Sequence, residues 1–203
     1  MHIQPLCLGA YGTNCYLVWG QESPACVVID PGYEPETVLL ETEKRGLSIQ
    51  AILLTHGHFD HVGAVEELVK RTGCRLWMPY GDWAWPESPM IKRLYPLANT
   101  QEIVPEFPKD GEQIPLAGLR FSVLETPGHT RGSVCYLCGD ALFSGDTLFA
   151  GSCGRTDLPG GNHSQILRSL ARLKQLSPNT RIFPGHGESS VLCRELTENP
   201  YLR

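Results

Sequence analysis

The chain has 203 residues, 41% hydrophobic and 19% charged, which fits one globular domain with an ample core. Its formal net charge is −5, with no block of Lys and Arg. That argues against nucleic-acid and anionic-membrane partners, because phosphate binding relies on clustered cations. The opening MHIQPLCLGAYG lacks both a basic start and a long apolar run. No stretch approaches the roughly 18 apolar residues of a membrane span. A cytoplasmic protein, one domain over residues 1–203, is the expectation.

In chain order, apolar runs that end in turn residues predict strands at 13–19, 26–30, 51–55, 75–79, 119–126, 133–137, 141–145 and 180–184. Helical spacing appears between them. Residues 35–45 open with Pro35, residues 62–71 repeat Val62, Val65, Leu68 and Val69, and residues 165–175 carry Ile166, Leu170 and Leu173. This mixture predicts sheets covered by helices. The segment Gly81–Pro115 differs, holding Trp83, Trp85 and several prolines including Pro86. It reads as an irregular excursion with one short helix at 90–97, its tryptophans either lining a substrate mouth or simply packed on the surface.

Eight cysteines are scattered along a chain too large to need disulfide staples, and they read as reduced thiols. Cys135 and Cys138 form a CxxC, but a zinc ribbon needs a second pair. Both are expected to be packing residues.

The chemistry concentrates in four short motifs. Thr55-His56-Gly57-His58-Phe59-Asp60-His61 follows the apolar run AILL. Side chains two apart in an extended chain face the same way, so His56 and His58 leave the strand end together. Asp60 and His61 follow at the turn into a helix. Four ligand-type side chains thus gather within six residues, and imidazole and carboxylate both suit a divalent metal. His129 in TPGHT, Asp146 in FSGDTLF and His186 in FPGHG each follow another predicted strand. Loops past strand ends are where sites form in mixed α/β architectures. Five of the seven histidines are used in this way. His2, near the terminus, and His163, at a helix mouth, read as solvated and capping neighbours.

This pattern, HxHxDH followed by a distant His, an Asp in SGDTLF and a His in PGH, resembles the metallo-β-lactamase superfamily. Asp146–Asn162, DTLFAGSCGRTDLPGGN, and the ending PGHGESS…NPYL are similar to its glyoxalase II branch, of the short single-domain type. The resemblance implies a four-layer αββα sandwich with two divalent metal ions at one edge, zinc first, with iron or manganese as alternatives. One metal would be held by His56, His58 and His129, the other by Asp60, His61 and His186, with Asp146 bridging. A shared hydroxide would then attack a small-molecule thioester, with Asp60 and Asp146 as catalytic carboxylates. Glyoxalase II proper adds a helical domain with cationic residues and a tyrosine for glutathione, and with seventeen residues after His186 no counterpart of that domain is expected. Arg155 is read either as a clamp for a substrate carboxylate or as a structural partner of Asp157. A monomer or small homo-oligomer is expected.

Two further readings share the fold. A persulfide dioxygenase would hold one Fe(II) on His56, His129 and Asp146. A non-catalytic metal-binding module would keep the ligands without turnover.

Overall fold

A computed structural model describes residues 1–85 and 88–203, so Pro86 of the excursion lies outside the described residues. A first sheet has the order β1 (His2–Leu8), β2 (Thr13–Trp19), β3 (Ala25–Ile29), β4 (Ser48–Leu53) and β5 (Arg75–Trp77). Its first three strands pair antiparallel, and β3, β4 and β5 run parallel. The second sheet is built from β6 (Gln113–Leu116), β7 (Leu119–Glu125), β8 (Val134–Cys138), β9 (Ala141–Gly145), β12 (Arg181–Pro184) and β13 (Ser190–Val191). Their order is β13-β12-β9-β8-β7-β6. A small hairpin of β10 (Leu148–Phe149) and β11 (Ser152–Cys153) stands beside it.

The layers follow from where each element hides its apolar side. Between the sheets, Tyr16, Val27, Ile29 and Leu53 meet Phe121, Val123, Tyr136 and Phe143. The outer face of the first sheet buries Val28 and Ile52 against α1 (Pro35–Glu43) and α3 (Val65–Thr72) through Val38, Val65 and Leu68. The outer face of the second sheet takes α6 (His163–Leu173) and α7 (Leu192–Glu198), with Ile166, Leu170 and Leu173 packed on Cys135, Leu142 and Ile182. The architecture is therefore the αββα sandwich that the resemblance implied. Among the described residues, no helix is long and apolar enough to cross a membrane.

Local chemistry explains most boundaries. α6 starts where the Asn162 side chain accepts a hydrogen bond from Gln165 N. α3 stops at Gly73, whose φ of 67° is left-handed. The predicted helix over 62–71 is broken in the structure into α2 (Phe59–Val62) and α3, because the chain bends at Gly63 and Ala64 against the backbone of Gly32 and Pro31. β1, β6 and α7 had no strong periodic signal. β1 is a half-exposed edge strand containing Pro5, and α7 turns a buried Glu195 inward. Cys135 and Cys138 are free, buried on opposite faces of β8, one in each core layer.

Strand direction places the site. β7 and β9 each run antiparallel to β8, and β9 runs parallel to β12. The carboxyl ends of β7, β9 and β12 therefore share one edge. Cross-sheet bonds clamp the end of β4 to that edge, with Val134 N donating to Thr55 O at 2.8 Å and Tyr136 Oη to Leu54 O at 3.0 Å. Leu170 anchors the outer helical layer. Leu170→Ala should destabilise the fold by about 2–5 kcal/mol in urea denaturation, and a change under about 1 kcal/mol would show that α6 contributes little to the core.

Candidate metal centre

Every one of the seven side chains singled out in the sequence lies at this shared edge. His56 and His58 follow β4, with Asp60 and His61 on α2. His129 follows β7, Asp146 follows β9, and His186 follows β12. Their ligand atoms form two groups, each closing within 4.8 Å: His56, His58 and His129, and Asp60, His61 and His186. Asp146 faces both. Its Oδ2 is 3.5 Å from His129 Nε2 and 3.7 Å from His186 Nε2, and its Oδ1 is 3.4 Å from His61 Nε2. Gly185 makes this approach possible, since a Cβ there would collide with Asp146 Oδ1 and the His61 ring.

The hydrogen bonds fix which nitrogen is bare in His56 and His129. Thr55 Oγ1 spends its only proton on Asp30 Oδ2 at 2.6 Å, so His56 Nδ1, 3.0 Å away, must donate to it. His56 Nε2 then carries a lone pair, is buried, and has no partner among the described residues. His129 Nδ1 lies 2.8 Å from the Arg155 carbonyl, which only accepts, so His129 Nε2 is bare as well. His61 Nδ1 faces Asp30 Oδ2 at 3.1 Å, leaving its Nε2 pointed at His186 Nε2, 3.3 Å away. His58 Nδ1 stands 3.0 Å from the bare His129 Nε2. Asp146 Oδ1 is likewise buried without a hydrogen-bond partner.

Such crowding of acceptors is costly unless a cation lies among them. Zinc–nitrogen bonds of 2.0–2.1 Å imply tetrahedral edges of about 3.3 Å, close to the 3.0–3.7 Å separations here. The His and Asp clusters fit a binuclear metal site. Asp30 also falls within a third group with His56 and His61. Its oxygens are taken by Thr55 N, Thr55 Oγ1 and His61 Nδ1, so it orients rings and does not face the centre.

Protonation follows the same division. Burial, then the neighbouring imidazoles of His61, His129 and His58, drives His56 well below the usual histidine range. Burial and His129 bring His58 down to about 3. His61 is also penalised by burial, but Asp146, Asp30 and Asp60 outweigh that and raise it to about 9. Burial works against the ionised form of Asp60, yet its bond to His186 and the charge of His61 hold it at about 2.

The centre forms the floor of a pocket of about 510 Å³ with a mainly apolar wall: Tyr11, Phe59, Leu94, Phe149 and Leu158. Arg155 also lines it, and its guanidinium is held by Asp157 through two bonds of 2.7 and 2.8 Å. The tryptophans of the excursion do not line this pocket. Trp83 packs with Tyr80 and Phe107, and Trp85 lies between Tyr95 and the Arg131 guanidinium. The excursion reaches the site through Leu94 and through Tyr95, whose ring lies 4.9 Å from that of His58. His163 is the exposed first residue of α6, and His2 stacks on Trp19, both away from the centre.

A model of the metallo-beta-lactamase superfamily matches residues 8–186. The chain belongs to that superfamily. It is 34% identical to the hydroxyacylglutathione hydrolase GloC of Haemophilus influenzae, over 100% of this chain and 98% of that protein. The crystal structure of TTHA1623 in a di-iron-bound form superposes with a TM-score of 0.84 at 39% identity, covering 98% and 100% of the two chains. That of ETHE1 from Myxococcus xanthus superposes with a TM-score of 0.84 at 30% identity, covering 98% and 84%.

Sequence reasoning overlooked Asp30, Thr55 and Asp82. Asp30 had a signal, a carboxylate closing the apolar run CVVI just before the motif-bearing strand. The pocket wall was only partly signalled: Phe59, Phe149 and Leu158 lie within the motifs, while Tyr11 and Leu94 come from separate segments.

Stripped of metal by a chelator, the protein should lose stability as pH falls from about 6.5 toward 3. Folded His56 and His58 stay neutral there while the unfolded chain takes up protons, so stability rises with pH. His61 acts in another window, stabilising fully below about 6.5 and losing that contribution as pH rises through about 9. Urea midpoints should therefore drop between pH 6.5 and 4.5, and less steeply for His58→Asn. Equal slopes would contradict the assignment of neutral, buried imidazoles.

Proposed function

We propose that this chain is a metal-dependent thioester hydrolase, with one metal on His56, His58 and His129 and the other on Asp60, His61 and His186. Asp146 is assigned to both. The observation that carries this reading is the convergence of bare nitrogens and carboxylates from four strand ends on the floor of one pocket. The likeness to GloC supports a thioester such as a hydroxyacylglutathione as substrate. Imidazole and carboxylate donors suit zinc, and the di-iron relative makes iron the first alternative. Eight free cysteines fit a reducing compartment, the cytoplasm.

Two bound divalent ions supply an activated water and polarise a carbonyl oxygen. The chain's own groups do the rest. Thr55 with Asp30, and the Arg155 carbonyl, keep the Nε2 atoms of His56 and His129 free of protons. Asp60 and Asp146 are assigned to hold and orient the attacking water, Asp60 Oδ2 being ionised throughout the neutral range. The apolar wall seats the acyl group and excludes bulk water, and Arg155 at the rim takes a substrate carboxylate by exchanging it for Asp157. A thiolate departs without strong protonation, so no general acid is demanded of the pocket. Cys153 lines the pocket, but burial raises its thiol, which keeps it protonated and out of the chemistry.

The test is a panel of thioesters, S-lactoylglutathione together with acyl esters of coenzyme A and N-acetylcysteamine, with zinc-loaded protein. Release of free thiol is expected and a chelator should abolish it. His58→Ala and Asp146→Ala should cut turnover by at least about 10²-fold and lower bound metal. Arg155→Ala should mainly raise KM. A metal-loaded protein inert toward the whole panel would instead fit a binding module. Likeness to ETHE1 keeps one other reading, a persulfide dioxygenase with one Fe(II) on His56, His129 and Asp146. Oxygen uptake by iron-loaded protein with glutathione persulfide, without thioester turnover, would establish it.

A further inference from the structure

Asp82 lies on α4 (Tyr80–Trp83), inside the excursion, at a position to which the sequence assigned no role, and is fully buried. Its carboxylate accepts three hydrogen bonds, and all three donors belong to loops that carry histidines of the centre. Oδ2 receives Gly57 N–H at 2.9 Å and Thr130 Oγ1–H at 2.7 Å, while Oδ1 receives Gly132 N–H at 2.9 Å. Gly57 stands between His56 and His58, and Thr130 directly follows His129. One carboxylate thus ties together the two loops that present the whole three-histidine group.

The packing is as close as the hydrogen bonding. A Cβ on Gly57 would stand 2.9 Å from Asp82 Cβ, and one on Gly132 would stand 2.6 Å from Asp82 N. One on Gly81 would stand 2.8 Å from Gly132 Cα. Neither loop can move away from α4 without breaking a bond to the same side chain. Arg131, the neighbouring cation, does not neutralise Asp82. It donates to the carbonyls of Gly81 and Ala84 and stacks on Trp85. A buried carboxylate without a counter-ion is expensive, and among the described residues the hydrogen bonds that compensate Asp82 all come from donors on the two ligand loops.

The other half of the centre is held by different groups. Asn14 Nδ2 donates to the carbonyls of Pro184 and Gly187, on either side of His186, at 3.0 and 2.9 Å. Tyr16 Oη donates to the Pro184 carbonyl at 2.6 Å. Asp30 touches both halves, through Thr55 beside His56 and through His61. Asp82 touches only one.

From this separation we infer that Asp82 is the positioning residue of the three-histidine half, setting the gap between its two loops and so the tightness with which that half holds a metal. The inference rests on the two-metal reading above. An amide cannot replace the carboxylate. Whichever way Asn is turned, its NH₂ meets either the Gly132 N–H or the Gly57 N–H, donor against donor.

The test is a chelator titration of the full-length zinc-loaded protein, with imidazole ¹⁵N spectra reporting which histidines are freed. In Asp82→Asn, the metal on His56, His58 and His129 should leave at about 10–100-fold lower chelator strength, the usual cost of losing a group that orients ligands. The metal on His61 and His186 should be retained as in the unmodified protein. Asn14→Ala should show the reverse order. Thr130→Val removes one of the three bonds and should shift the same metal in the same direction by a smaller factor. It decides the matter if Asp82→Asn does not fold. Unchanged release in Asp82→Asn, equal weakening of both metals, or no shift in a folded Thr130→Val would each overturn the inference. If the unmodified protein takes up a single metal, the two-metal reading fails, and the affinity of Asp82→Asn for that one metal still tests the tie.

Discussion

The structure depends on one electrostatic problem. A buried edge brings imidazole nitrogens within 3.0 and 3.3 Å of each other and leaves His56 Nε2, His58 Nε2 and Asp146 Oδ1 without a hydrogen-bond partner among the described residues. Thr55 and the Arg155 carbonyl already claim the Nδ1 protons of His56 and His129, and protons shared between His58 and His129 and between His61 and His186 still leave these three atoms unpaired. Cations placed among them would satisfy all three. The fold exists around that demand: two sheets supply parallel-directed strand ends, and short glycine-containing loops let the ligands approach one another.

The surrounding groups divide the labour by function. Asp30 sets tautomers from below the centre, Asn14 and Tyr16 fix the loop of His186, and Asp82 ties the loops of the three-histidine group. The pocket above is chemically different, mostly apolar with one guanidinium at its rim. Recognition and reaction are therefore separated by depth, with the polar demand at the floor and shape selection in the wall. The thioester proposed as substrate would fit this division, its acyl and thiol parts against the wall and its carbonyl at the floor.

The ligand-type residues were legible because spacing and strand context act over a few residues: HxHxDH, TPGHT, SGDT and PGHG each follow an apolar run. Strands β2–β5, β7–β9 and β12 were legible for the same reason, to within a few residues at their ends, whereas the edge strands β1, β6 and β13 were not. Asp82 was not, because its role depends on two loops 25 and 48–50 residues away. Nor was the break between α2 and α3, which arises where Gly63 packs against the backbone of Gly32. The role offered for Trp83 and Trp85 at a substrate mouth failed similarly, since aromatic content marks burial against something without saying what.

The most direct measurement is the metal content of the unmodified protein, by elemental analysis after purification from its own host and after saturation in vitro followed by desalting. Two equivalents of divalent metal per chain, bound at neutral pH and released by acid as the imidazoles are protonated, is the predicted result. A folded protein that retains no metal under these conditions would contradict the account at its base.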